Sequence, residues 1–193
     1  LLTDPATIAT NPDGHGGSLR ALYTSGAIDD MRRRGVEHIS YFQVDNPIVR
    51  AIDPVFIGLH AQAADSSAEM CAKVVLKTDP GERVGVICRT SRAIEVVEYS
   101  DLPDALAHET DASGALRFRL GSIAIHVIGV EFVARLNEGA EGFSLPFHRA
   151  EKRVPCVDPD TGRAIDPSEP NTIRVETFVF DALPFASRQI VYE

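Results

Sequence analysis

Residues 122–128 read SIAIHVI, and this short apolar run decides how the rest of the chain can fold. A run of this length, rich in isoleucine and valine, predicts a buried strand. The residues that follow, 131–136, change to a helical pattern. A buried strand that leads into a helix, together with other strands earlier in the chain, predicts an α/β fold built on a sheet.

Outward from this run, strand and helix patterns are mixed. Strands are predicted at 39–44, 72–77, 83–89 and 93–99, and the short turn between the last two is typical of a hairpin. Helices are predicted to start after Ser18 as the cap, to pass through Val49 and Ile52, and to cover 101–110 with Asp101 as the cap.

The composition is that of one globular chain with an acidic surface. The 193 residues include 19 Lys and Arg against 28 Asp and Glu, which gives a net charge of −9. Such a charge repels nucleic acid and anionic membranes, so partners of both kinds are disfavoured. No stretch is long and apolar enough to suggest a membrane span. The three cysteines show no disulfide or zinc spacing, which favours a reducing cytoplasm.

The segment 11–17 reads NPDGHGG and is a glycine-rich loop before a predicted helix. Backbone N–H groups at a helix start can hold an anion or the edge of a base without any side chain. A tight surface turn has the same composition, so both interpretations stay open.

Two carboxylates are candidates for chemistry. Asp45 follows the predicted strand 39–44, where a carboxylate can hold Mg²⁺ on a phosphate; a helix cap is the alternative. Glu98 lies in the otherwise apolar stretch 96–99, where it could accept hydrogen bonds from sugar hydroxyls. The solvated face of an edge strand is the alternative for Glu98.

Other polar residues favour structural or solvated roles. His15, His126 and His148 have no metal-ligand spacing. The short basic run at 149–153 is typical of an exposed face.

Eight segments, taken in order, are similar to the UDP-sugar pyrophosphorylase family, and most closely to the UDP-N-acetylhexosamine pyrophosphorylases. They are 11–22 (NPDGHGGSLRAL), 41–49 (YFQVDNPIV), 51–58 (AIDPVFIG), 71–75 (CAKVV), 84–89 (VGVICR), 96–101 (VVEYSD), 145–148 (LPFH) and 178–181 (FVFD). The series covers most of the chain.

The resemblance implies a GT-A-like, Rossmann-type α/β nucleotidyltransferase domain with a mixed sheet, its N-terminal part missing. Residues 1–193 would be the central part of that single catalytic domain. The implied enzyme is a uridylyltransferase that uses Mg²⁺ to join UTP and N-acetylglucosamine 1-phosphate into UDP-N-acetylglucosamine and pyrophosphate. Its oligomeric state is not implied.

The resemblance also assigns roles to residues. Gly14 would contact the uracil through its backbone, with His15 beside it. Asp45 would be the catalytic and metal-binding residue near the ribose and phosphates. Gly85 and Glu98 would contact the sugar, with the Glu98 carboxylate holding sugar hydroxyls.

The chain departs from the family at two of these positions. The family usually has asparagine where this chain has His15, and again where Gly121 and Ser122 stand. Ser122 is shorter than asparagine and offers only a hydroxyl to the sugar. This favours, as the alternative substrate, glucose 1-phosphate or a broader set of sugar phosphates.

The family's opening Gly-rich nucleotide loop would precede Leu1, and a phosphate-binding lysine would follow Glu193. Phosphoryl transfer depends mostly on positioning and on neutralising charge, so we expect the 193 residues alone to be nearly inactive. A sheet without its first strands would have an unpaired edge, so association or instability is expected. A non-catalytic nucleotide-sugar-binding module is the remaining alternative.

Overall fold

The computed structural model describes residues 1–4, 6–91, 93–138, 142–143 and 145–193. The chain divides into two compact units. The smaller unit comprises Leu1–Ser18 and Leu145–Val179, and the larger unit comprises Leu19–Ser144 and Phe180–Glu193. That residues 1–193 belong to one catalytic domain stays a prediction.

The described residues contain twelve strands. They are β1 (Leu2–Asp4), β2 (Thr7–Ile8), β3 (His38–Tyr41), β4 (Met70–Leu76), β5 (Val86–Arg89), β6 (Ile94–Val97), β7 (Leu120–Gly129), β8 (His148–Lys152), β9 (Cys156–Val157), β10 (Ala164–Ile165), β11 (Thr172–Glu176) and β12 (Val191–Tyr192).

Helices connect many of these strands. They are α1 (Gly17–Thr24), α2 (Ala27–Arg33), α3 (Pro54–Gln62), α4 (Asp104–Ala107), α5 (Val130–Glu138) and a 3₁₀-helix (Val179–Phe185). None of these helices is both long and apolar enough to cross a bilayer.

The larger unit is built on a six-stranded sheet. Its order is β12-β4-β7-β5-β6, and β3 pairs with β7 as well. β12 and β4 are parallel, whereas the other pairs are antiparallel. The predicted α/β fold with a mixed sheet is therefore confirmed, and so is the predicted hairpin, which is formed by β5 and β6.

The smaller unit holds two antiparallel sheets. One has the order β10-β9-β1-β2, and the other is the pair β8 and β11. In that pair, Thr172 lies opposite Lys152 and Glu176 lies opposite His148. The chain leaves β11 directly toward Thr177 at the end of this pair.

β7 has a gap along one of its edges. β4 pairs with β7 along the whole of one edge, so β3 and β5 must both use the other. β3 covers residues 126–129 of that edge, and β5 pairs with it at Gly121. Among the described strands, none covers 123–125, so the ladder is open there.

β7 also bulges at this gap. The neighbours Lys73 and Val74 of β4 pair with Ile125 and Ser122, so β7 has two extra residues between these pairs. One of them, Ala124, has a φ of 53°. A residue with a Cβ rarely adopts this left-handed conformation, and a bulge commonly redirects side chains beside a functional site.

α3 begins later than the sequence pattern predicts. The expected helix through Val49 and Ile52 is wrong, because the Asp53 carboxylate caps a helix that starts at Pro54. Asp53 Oδ1 accepts from the backbone N–H of Val55 at 3.1 Å. Proline suits the first helical position and disfavours helical backbone in the residue before it.

Two other predicted helix starts are also corrected. Ser18 does not cap α1, which already includes Gly17; its hydroxyl donates to the carbonyl of His15. Asp101 does not cap a helix over 101–110, and α4 spans only Asp104–Ala107. The backbone N–H of Asp101 instead donates to the carbonyl of Glu98 in a turn.

The core between α3 and the sheet contains a buried histidine. His60 is fully buried, and its Nδ1 lies 3.1 Å from Sγ of Cys71, which is a free thiol. Burial and, to a smaller extent, the neighbouring His38 lower the pKa of His60 to about 4. His60 therefore stays neutral in the folded protein.

We expect the free energy of unfolding to fall as the pH decreases from 6.5 to about 4. The unfolded chain binds a proton at His60 between these two pH values, whereas the folded chain does not. Proton binding therefore lowers the free energy of unfolding by about 3 kcal/mol across this range. Denaturant titration at several pH values should show that the free energy of unfolding depends less on pH in His60→Asn than in the parent. The exposed His108→Asn should behave like the parent, and an unchanged slope in His60→Asn would contradict the prediction.

β3 has an open outer edge, followed by an exposed apolar segment. Among the described strands, β3 pairs with β7 alone. Beyond it, Val44 is 100% exposed, Ile48 91% and Ile52 76%. An unpaired edge beside exposed apolar side chains is a site for association.

We therefore expect this 193-residue chain to self-associate as its concentration rises, which sedimentation velocity measures. Ile48→Glu should raise the concentration needed for self-association about tenfold, which corresponds to a loss of about 1.4 kcal/mol in association free energy. Ile8→Glu is the matched control, because Ile8 is 72% exposed but lies in β2. A chain that stays monomeric at all concentrations would refute this expectation.

Candidate functional site

The three residues predicted to contact a sugar lie together in the larger unit. The N–H of Ser122 donates to the carbonyl of Gly85 at 2.8 Å. A Cβ placed on Gly85 would lie 3.3 Å from Oε1 of Glu98 and 2.9 Å from Cγ1 of Val96. Gly85 therefore lets the Glu98 carboxylate approach the backbone beside the gap in β7.

The β5–β6 hairpin explains why Gly85 and Glu98 meet. Val86 pairs with Val97, so the residues just outside this pair face each other at the open end of the hairpin. The backbone carbonyl of Glu98 accepts from the N–H of Asp101 at 2.9 Å, which turns the chain directly after Glu98. Glu98 is half-buried at the end of an edge strand.

Ser122 has a buried hydroxyl without a hydrogen-bond partner among the described residues. Such a group costs about 1–3 kcal/mol unless something satisfies it. Ser122 thus contributes an unsatisfied buried hydroxyl next to Gly85.

Asp45 lies in the turn that follows β3, at the same edge of β7 as the gap. Its side chain is exposed. The helix-cap alternative for Asp45 is wrong, since Asp53 caps the next helix. The described residues contain no group of three His, Cys, Asp or Glu able to hold a metal, with or without Asp45.

The glycine-rich loop lies in the smaller unit, packed closely on the end of β11. Gly14 has a φ of 88°, and a Cβ there would overlap the carbonyl oxygen of Thr177. The N–H of Gly16 donates to the same oxygen at 2.8 Å, and the N–H of Thr177 donates to the carbonyl of Asp13. The backbone of the loop is thus a tight turn packed on Thr177, and its role in binding a ligand stays a prediction.

His15 is held by the same packing. Its Nδ1 accepts from the backbone N–H of Val179 at 3.0 Å, and its ring stacks on Phe178 with 5.0 Å between centroids. The ring of His148 lies 4.5 Å from Phe178 in turn. Gly14 and His15 thus share one anchored loop.

The sequence interpretation missed a charged pair beside the bulge. Lys73 Nζ lies 2.6 Å from Oδ2 of Asp53, and it also lies over the rings of Phe56 and Tyr192. The ion pair with Lys73 holds the pKa of Asp53 below its usual range. The Asp-Pro start of α3 was the available signal, because this dipeptide is typical of a helix N-terminus.

The chain matches the profile of the UTP–glucose-1-phosphate uridylyltransferase family over residues 3–166. A match over most of its length shows that the chain belongs to this family.

Two individual relatives show how similar the chain is to proteins of this family and how much of their length it covers. The chain is 39% identical over 193 residues to UDP-N-acetylhexosamine pyrophosphorylase-like protein 1 of Xenopus tropicalis, with 100% of the chain and 37% of the relative covered. It is 37% identical over 182 residues to UDP-N-acetylglucosamine pyrophosphorylase of Saccharomyces cerevisiae, with 94% and 37% covered. The chain thus spans little more than a third of these relatives.

One solved structure shares the fold of the whole chain. It is that of an Entamoeba histolytica protein described as a UDP-N-acetylglucosamine pyrophosphorylase, and it matches with a TM-score of 0.87 and 33% identity. The match covers 100% of this chain and 46% of that one.

We expect Gly14→Ala to destabilise the protein by roughly 2–4 kcal/mol, because it adds a steric overlap with Thr177 to the strain of a positive φ. Gly26→Ala is the matched control: Gly26 has a φ of 79°, but a Cβ there meets nothing within 4 Å. Gly26→Ala should lower the free energy of unfolding by only about 1 kcal/mol. Thermal unfolding measures both, and equal changes would show that the contact with Thr177 does not restrict position 14.

Proposed function

We propose that these residues belong to a uridylyltransferase that joins UTP and N-acetylglucosamine 1-phosphate into UDP-N-acetylglucosamine and pyrophosphate. The observation that carries the proposal is the meeting of Gly85, Glu98 and Ser122 beside the gap in β7. The names of the relatives from Xenopus tropicalis and Saccharomyces cerevisiae support the same class of substrate.

The gap suits a sugar for two reasons. Sugar hydroxyls donate hydrogen bonds, and the half-buried carboxylate of Glu98 is a strong acceptor for them. The hydroxyl of Ser122 can both donate and accept, and rotation of this unsatisfied group out of its buried position would let it bond a sugar hydroxyl.

In the proposed reaction, an oxygen of the sugar 1-phosphate attacks the α-phosphorus of UTP. The bond from that phosphorus to the bridging oxygen of the β-phosphate breaks, and pyrophosphate leaves with the electron pair. Catalysis of this kind depends on holding the two substrates in line. The proposed part of Glu98 and Ser122 is to hold the sugar, and that of the Gly14 loop is to hold the uracil.

Asp45 fits a magnesium ion carried by the substrate. Mg²⁺ is commonly bound by one or two carboxylates together with substrate phosphates, and Asp45 is an exposed carboxylate. When bound, the ion would neutralise the phosphate charge. Asp45 would orient it from the turn after β3.

Glucose 1-phosphate is the second candidate substrate. The short side chain of Ser122 offers no amide group to an acetamido substituent, and the matching family profile carries the name of a glucose-1-phosphate enzyme. Calorimetric titration of the 193-residue chain with UDP-N-acetylglucosamine and UDP-glucose, each with Mg²⁺, separates the two. Tighter binding of UDP-glucose would favour this second candidate.

We expect Glu98→Gln to weaken binding of the preferred UDP-sugar by roughly 10- to 150-fold. The variant removes a charged acceptor, and hydrogen bonds to charged groups contribute about 1.5–3 kcal/mol. Glu95→Gln is the matched control, because Glu95 lies in β6 opposite Cys88 rather than beside Gly85. Equal affinities for Glu98→Gln and Glu95→Gln would contradict the proposed sugar site.

A further inference from the structure

The direction of one hydrogen bond fixes the protonation of His15. The backbone N–H of Val179 can only donate, and it lies 3.0 Å from His15 Nδ1. Nδ1 is therefore the acceptor and carries no proton. The ring is neutral, with its proton on Nε2.

The surroundings of His15 favour this neutral ring. Burial lowers the pKa of His15; the nearby Glu176 acts in the opposite direction, and His148 acts in the same direction as burial. His148 and Glu176 lie opposite each other on β8 and β11, which face the loop. On the loop itself, the Asp13 carboxylate lies against Gly17.

We propose that His15 is a positioning residue, which holds the Gly14 backbone ready for a uridine nucleotide only while the ring is neutral. This inference rests on the proposed function, in which Gly14 contacts the uracil. A proton on Nδ1 would face the N–H of Val179, so a hydrogen bond becomes a repulsion between two donors. The loop then loses its contact with Val179 next to Gly14, and nucleotide affinity falls as the pH falls.

The positive φ of Gly14 explains why the anchor matters. Gly14 can adopt many backbone conformations, since glycine has no Cβ to restrict it. Thr177 holds the loop on both sides of Gly14, through the carbonyl of Asp13 before it and the N–H of Gly16 after it. His15 on Val179 is a third contact, made by the residue directly after Gly14. Loss of this contact leaves the peptide group between Gly14 and His15 less firmly fixed.

Calorimetric titration of the 193-residue chain with UMP at pH 7.5 and 5.0 tests the inference. The parent should bind UMP more weakly at pH 5.0 than at pH 7.5, and the loss should not exceed tenfold per pH unit, the limit for one required neutral group. His15→Asn should remove this pH dependence, because the amide oxygen can accept from Val179 without titrating. His108→Asn, an exposed histidine of the larger unit, is the control and should keep it.

A second readout separates failure of this inference from failure of the proposed function. Nitrogen-15 spectra of the imidazole rings at pH 7.5 should show His15 protonated at Nε2 alone. Acidification should shift the Val179 amide in the parent but not in His15→Asn.

Equal loss of UMP affinity in the parent and His15→Asn would overturn the inference, and so would a His15 ring protonated at Nδ1 at pH 7.5. Absence of UMP binding by the parent at pH 7.5 would instead contradict the proposed function. In that case the ring and amide spectra still decide whether His15 holds the loop.

Discussion

The pairing of β4 along one full edge of β7 is the constraint on which the larger unit depends. It forces β3 and β5 onto the remaining edge, where they approach from opposite ends and leave residues 123–125 uncovered. The turn with Asp45 leaves one side of this gap, and Gly85 enters on the other. The candidate sugar site is thus a consequence of how strands share one edge.

The bulge in β7 and the start of α3 are coupled through Lys73. Lys73 pairs with Ile125 next to the bulge, and its ammonium group reaches the carboxylate that caps α3. The side chains of Lys73 and Asp53 are 23% and 12% exposed, so water screens this pair less than a surface ion pair. One carboxylate therefore caps a helix and ties it to the sheet beside the gap.

In the smaller unit, close backbone packing dominates. Gly14 and Gly16 permit the loop to approach Thr177, and this approach places His15 where Val179 can donate to it. The glycines thus have a structural reason to be there, independent of any ligand. The same packing gives His15 Nδ1 a backbone donor, which a glycine-rich pattern in sequence does not reveal.

The sequence by itself determined the strand of β7, the β5–β6 hairpin, the mixed α/β class and the family resemblance, because side-chain periodicity, turn residues and motifs are local. It misplaced the starts of three helices, since the capping by Asp53 and the turn after Glu98 depend on contacts that periodicity does not record. Only the tertiary structure decided that Ser122 lies against Gly85 and that His15 accepts from Val179. Strand pairing and loop packing join residues far apart in the chain, and local pattern carries no information about such contacts.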